Sequence, residues 1–193
     1  MGFTTPLRYN TPQAWIDCVI ANMDSFLLDH AAAEKKASGM AVSMISHYPD
    51  RSELVSVMAD LAIEELNHYK EVIKIIYARG LQLAADEKDE YVLQLRQCIR
   101  KGTEEYFLDR LLVASIIEAR GAERFGLIAK DLSDEPLKAF YQAIATSEQR
   151  HYEVFLHLAK RYFAEDIVDK RFDDLLNKEA AIVAALPIQA KLH

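Results

Sequence analysis

Two short strings carry the most chemistry in this chain: Glu65-Leu66-Asn67-His68 and Glu148-Gln149-Arg150-His151. Each sets a carboxylate and an imidazole three residues apart. On a helix, that spacing places both groups on one face, one turn apart, so they reach a single centre without bending the backbone. Each string also follows a further acid on an apolar stripe. Glu34 stands 31 residues before Glu65, and Glu118 stands 30 before Glu148. The gap from Glu65 to Glu118 is longer, at 53 residues. Two helix hairpins of similar length, joined by a long connection, produce this pattern.

Glutamate is rarely buried unless it is paired or bound to a cation. Four carboxylates facing one another in an apolar core repel, and two divalent cations at +4 offset their −4. Carboxylate oxygen and imidazole nitrogen suit iron or manganese, and no thiolate belongs to the set. One Glu from each of two helices, with Glu-x-x-His from each of two others, is the ligand pattern of ferritin-like di-iron and di-manganese proteins. The expected site is therefore a two-metal centre, with two irons or alternatively manganese, held by Glu34, Glu65, His68, Glu118, Glu148 and His151. By analogy with that class, Glu65 and Glu148 bridge the metals. Glu34 and His68 complete one metal, and Glu118 and His151 the other. Glu64, four residues before His68, competes with Glu65, but the stripe and the matching second string favour Glu65. A lone Glu-x-x-His usually marks a surface ion pair; two of them, each behind a core-facing Glu, do not.

Four long helices must position these groups. The first spans about 22–47, up to the stop Tyr48-Pro49-Asp50. The second spans about 51–79, with Gly80 as its terminator. The third spans about 103–130, with Thr103 as a candidate cap. The fourth spans about 136–163, after Ser133-Asp134-Glu135-Pro136. Shorter helices are expected near 12–21, 89–100 and 172–186. No segment alternates as a half-buried strand does. The fold class is all-α: a ferritin-like four-helix bundle with additional short helices, as one domain over residues 1–193.

The chain has 193 residues, 51% of them apolar, enough for one substantial core. Its net charge of −7 argues against a general nucleic-acid coat but leaves room for a local basic face. Cys18 and Cys98 are too few for a four-cysteine metal site and fit reduced thiols. Residues 1–12 show no signal-peptide pattern, and Pro6 stands where a myristoylation motif after Gly2 wants Ser or Thr. No apolar run approaches the length of a membrane span. These features read as soluble and cytoplasmic. His30, one turn before Glu34, is either a structural histidine or a contact to the ligand or the substrate. Tyr69 and Tyr152 follow the two ligand histidines, but adjacent helical residues diverge by about 100°. The small residues Ala31, Ala33 and Ala37, and Ala114, Ser115, Gly121 and Ala122, either leave space for a substrate or permit close packing.

Longer strings around these ligands resemble a known family. Leu27 to Ala37, Glu64-Glu65-Leu66-Asn67-His68-Tyr69, Ile117 to Phe125, Ser147 to Tyr152 and the opening Thr11-Pro12-Gln13-Ala14-Trp15 are similar to segments of the bacterial tRNA 2-methylthio-isopentenyl-adenosine hydroxylases. Gly121 and Ala122 depart from the Ser and Cys expected there. The resemblance implies a non-haem di-iron monooxygenase that uses dioxygen to hydroxylate the isopentenyl side chain of a hypermodified adenosine beside the anticodon. It also implies a separate electron donor of the ferredoxin or reductase type, since no flavin or nicotinamide fingerprint is present. For the tRNA, the expected contacts are His30, Lys36, Arg120, Arg124 and Arg150, with Lys35, Lys160 and Arg161 as further candidates. Bacterioferritin-like iron storage and rubrerythrin-like peroxide reduction are the alternatives.

Overall fold

The computed structural model describes residues 5–193; Gly2, considered above for lipidation, lies outside them. Seven α-helices and no strand occur among the described residues. They are α1 (Gln13–Ala21), α2 (Met23–His47), α3 (Ser52–Ala78), α4 (Glu90–Gln97), α5 (Thr103–Asp131), α6 (Glu135–Tyr162) and α7 (Glu165–Ala185). None is long and apolar enough to cross a membrane. The chain forms two compact units.

The first unit holds residues 21–87 with 190–192. It is the hairpin of α2 and α3. Phe26, Leu27, Ala31, Ala41 and Met44 of α2, and Leu54, Met58, Leu61, Val72 and Ile76 of α3, are buried at helical spacing. The Ser38 hydroxyl donates to the Ala62 carbonyl at 2.8 Å and ties the two helices at mid-length. Pro49 cannot continue a helix, and the Tyr48 amide closes α2 on the Met44 carbonyl at 3.1 Å. At the end of α3, Gly80 adopts φ 73°, which costs a residue without Cβ nothing. The Leu81 amide then reaches the Ile76 carbonyl at 3.1 Å and the Gly80 amide the Tyr77 carbonyl at 3.0 Å. This pair of bonds is a Schellman closure.

The second unit runs to residue 20 and then covers 88–189 and 193. The hairpin of α5 and α6 is its centre. Asp89 caps α4 by accepting from the Val92 amide at 2.9 Å, and Asp134 caps α6 by accepting from the Leu137 amide at 2.9 Å. Two expectations need correction. Thr103 does not cap α5: it is the first helical residue, and Gly102 takes the cap position. The last helix starts at Glu165 rather than near 172, because Val168 already begins its buried stripe and Lys160 pairs with Glu165 and Asp169 just past the break. Ser115 donates to the Tyr152 carbonyl at 3.0 Å and so ties α5 to α6, while Ala114, Gly121 and Ala122 of α5 are buried. Cys18 and Cys98 are both half-buried thiols, joined in no disulfide.

Candidate metal centre

Each hairpin brings together its own three predicted ligands. On α2 and α3, Glu34 and Glu65 are 3% and 1% exposed, although they are acids. His68 Nδ1 lies 3.1 Å from Glu65 Oε2 and 3.6 Å from Glu34 Oε2. Glu64 is 3.9 Å from the other ring nitrogen of His68 and its side chain is 35% exposed, so the buried face belongs to Glu65. His30 is fully buried and donates from Nε2 to Glu34 Oε1 at 2.6 Å. Burial pushes the Glu34 carboxyl up, but the His30 and His68 imidazoles outweigh it and hold the group well below the usual carboxylate range. Burial likewise pushes His68 down, and the two carboxylates overcome it and raise the imidazole to about 10. This is a strongly anionic pocket that already attracts positive charge.

On α5 and α6, Glu118, Glu148 and His151 are 4%, 5% and 3% exposed. His151 Nδ1 stands 4.0 Å from Glu118 Oε2, and its Nε2 is 3.4 Å from the Ser147 hydroxyl. Arg150 is exposed and donates to that same hydroxyl at 2.9 Å. Gly121 opposes Glu148 so closely that an added Cβ would lie 3.3 Å from Glu148 Oε2. The absence of a side chain at 121 therefore sets how near the Glu148 carboxylate comes to α5.

The expected tRNA contacts fare unevenly. Lys36 and Arg150 are exposed, whereas His30, Arg120 and Arg124 are buried and do not present a basic face. Arg120 donates to Glu179 Oε1 at 2.8 Å, to Glu123 Oε2 at 2.6 Å and to the Tyr9 carbonyl at 2.9 Å. The Arg124 guanidinium stacks 4.6 Å over the Trp15 ring, and burial together with the Arg120 charge lowers it to about 10. Both arginines are buried because the polypeptide before α1 wraps α5. Thr11 donates from its amide and its hydroxyl to Glu123 at 2.9 Å and 2.7 Å. His30 is explained by its bond to Glu34.

Sequence reading missed Glu179 and Asp109, both fully buried. Glu179 accepts from Arg120 and from the Tyr91 hydroxyl at 3.1 Å. Asp109 accepts from Arg100 at 2.8 Å and from Arg171 at 2.7 Å. The signal for Glu179 was present: it continues the stripe Val168, Phe172, Leu175, Leu176 toward Val183. These two acids are matched by arginine, whereas Glu34 and Glu65 face imidazoles.

Comparison with known proteins bears on what such a site does. A family model described as tRNA-(MS[2]IO[6]A)-hydroxylase (MiaE) matches residues 3–193. The tRNA 2-(methylsulfanyl)-N(6)-isopentenyladenosine(37) hydroxylase of Pseudomonas putida is 38% identical over 183 residues, which are 95% of this chain and 89% of that protein. The enzyme of the same name from Salmonella typhimurium is 33% identical over 139 residues, 72% of this chain and 51% of the other. A solved structure, a protein with aldehyde deformylating oxygenase activity from Synechococcus, superposes with a TM-score of 0.91 at 32% identity, covering 97% of this chain and 94% of that one. The all-α, ferritin-like fold class predicted from the sequence is the one observed.

Proposed function

The chain belongs to the tRNA-(MS[2]IO[6]A)-hydroxylase (MiaE) family, and from that premise we propose that it hydroxylates the isopentenyl side chain of 2-(methylsulfanyl)-N6-isopentenyladenosine, next to the anticodon of tRNA, at a non-haem two-iron centre with dioxygen as cosubstrate. It is an oxidoreductase, and the named relatives are tRNA hydroxylases, which favours this reading over iron storage or peroxide reduction. The observation that carries the proposal is the pair of half-sets, each with two buried carboxylates and one imidazole.

The donor set fits two divalent cations in charge and in ligand type. Glu34, Glu65 and His68 of one hairpin and Glu118, Glu148 and His151 of the other are the residues that would hold the ions. A bound pair of irons would activate dioxygen, the oxidant that an allylic C–H bond demands and that no side chain offers. The protein's own work is positioning. His30 fixes the Glu34 carboxylate through its 2.6 Å bond. Burial among Leu27, Ala31 and Leu61 limits water around Glu34 and Glu65. Electrons come from a separate ferredoxin- or reductase-type donor, and the reaction takes place in the cytoplasm, where tRNA is.

The deciding measurement compares modified nucleosides in tRNA from cells with and without the protein. Loss of the hydroxylated nucleoside is expected, with return on complementation. Unchanged nucleosides, with accumulation of a large ferric core on the purified protein, would favour storage. His68→Ala and His151→Ala should each lower the iron content from about two per chain. The product hydroxyl should take its oxygen from labelled dioxygen; label from water alone would overturn the oxygenase chemistry.

A further inference from the structure

Beyond the Gly80 turn, residues 81–87 have no regular secondary structure and are exposed for most of their length. They run back along α2. Arg79 pairs with Asp24 in the first turn of α2, at 2.7 Å, and the far end of the segment reaches Lys35 and Lys36. Lys35 Nζ donates to Asp86 Oδ1 at 2.8 Å and Lys36 Nζ to the Glu87 carbonyl at 2.8 Å. Lys191 Nζ donates to the Glu87 carboxylate, while the Leu192 amide donates to Asp29 on α2 at 2.8 Å. Three ammonium groups thus converge on two consecutive acidic residues. Under this strap lies a cavity of about 170 Å³ whose walls include Leu28, Ala32, Lys35, Tyr69, Leu83 and Asp86. Lys35 follows the ligand Glu34 in sequence, and Tyr69 follows His68.

Nothing in this arrangement locks the strap. The side chains of Lys35 and Asp86 are 46% and 37% exposed, and those of Lys191 and Glu87 are 30% and 72% exposed. Exposed ion pairs are weak and exchange readily for another anion. Lysine is a point-charge donor that takes a carboxylate or a phosphate oxygen equally well. An RNA backbone presents such oxygens in series, and their neutralisation releases bound counterions.

Building on the tRNA-hydroxylase reading, we propose that Lys35, Lys36 and Lys191 form a binding site for tRNA backbone phosphates, and that Asp86 and Glu87 occupy it in the free protein as internal substitutes that the tRNA displaces. Displacement lifts the strap and opens the cavity beside α2, so access to that cavity depends on docked RNA. The net charge of −7 makes such a concealed basic site useful, since other polyanions meet an acidic surface first.

The test uses a fluorescent anticodon stem-loop carrying the modified adenosine, with affinity read by anisotropy over a range of salt. Asp86→Asn with Glu87→Gln should tighten binding about threefold or more at low salt. Asp60→Asn with Glu71→Gln, an equal charge change on exposed acids of α3, should not match it. Lys35→Gln with Lys191→Gln should weaken binding about tenfold and lower the slope of log affinity against log salt by roughly one to two. In a Lys35→Gln background the effect of Asp86→Asn should shrink; an undiminished effect would mean the acid acts through net charge alone and overturns the strap. Equal affinity in all variants, with the RNA still hydroxylated, overturns this inference and leaves the proposed reaction standing. Absence of both binding and hydroxylation by the parent protein overturns both.

Discussion

At Glu34 and His68, burial and ion pairing pull in opposite directions, and pairing wins. Burial depresses His68, yet Glu34 and Glu65 raise it to about 10. Its folded value thus lies above its ordinary one, so in metal-free protein the stability it adds is full at low pH and fades as pH rises toward 10. Cation uptake must run the other way, because the imidazole has to shed that proton to become a ligand. Affinity for iron(II) or manganese(II) should climb about tenfold per pH unit between about pH 6 and pH 8, and the dependence should weaken in His68→Ala. Calorimetric titration at several pH values checks this, and a flat profile counts against His68 as a ligand. Gly121 offers a second residue-scale test. An added Cβ would sit 3.3 Å from Glu148 Oε2, so Gly121→Ala must push that carboxylate by a few tenths of an ångström. Lower metal occupancy with unchanged helicity is the expected result, from elemental analysis and circular dichroism.

Helices were the most legible level of this molecule. The four long ones show in the sequence because each carries a long apolar stripe and ends at a stop such as Pro49 or Gly80. The start of α7 did not show, because Asp166 and Asp169 to Arg171 are polar and leave Val168 as the lone buried residue before Phe172. The proposed ligand set stands out for a related reason: an acid interrupting an apolar stripe is conspicuous. That rule alone is incomplete, since Glu179 and Asp109 interrupt stripes too and are matched by arginines distant in sequence. No local signal announces a partner 59 residues away, as Glu179 is from Arg120. This linkage of α5 to α7 predicts a specific asymmetry. Arg120→Met alone leaves Glu179 buried without its cation and should cost about 3–5 kcal/mol in urea denaturation. Adding Glu179→Leu should recover most of that loss, because it removes the uncompensated charge together with its partner.

Over the whole chain, burial of the four acids proposed as metal ligands would tie the fold to its cations. Glu34, Glu65, Glu118 and Glu148 are each no more than 5% exposed. Cations that bind the folded chain and not the unfolded one stabilise it by about 2.7 kcal/mol at a hundredfold excess over the dissociation constant. Chelation should therefore lower the midpoint of thermal unfolding, and reloading with iron(II) should restore it; equal midpoints would argue against the carboxylates as a cation site. The wrapped polypeptide ahead of α1 has a different consequence, for the order in which the chain assembles during synthesis. Thr11 leaves the ribosome early, but its partner Glu123 lies 112 residues later, and Asp173, which pairs with Arg8, lies 165 residues after it. Arg120 in turn waits for Glu179. The α2–α3 hairpin can close as soon as residue 78 emerges, whereas residues 5–12, made before it, are among the last to dock. A nascent chain halted before Glu179 should therefore protect α2 and α3 from protease while leaving residues 5–12 open to cleavage.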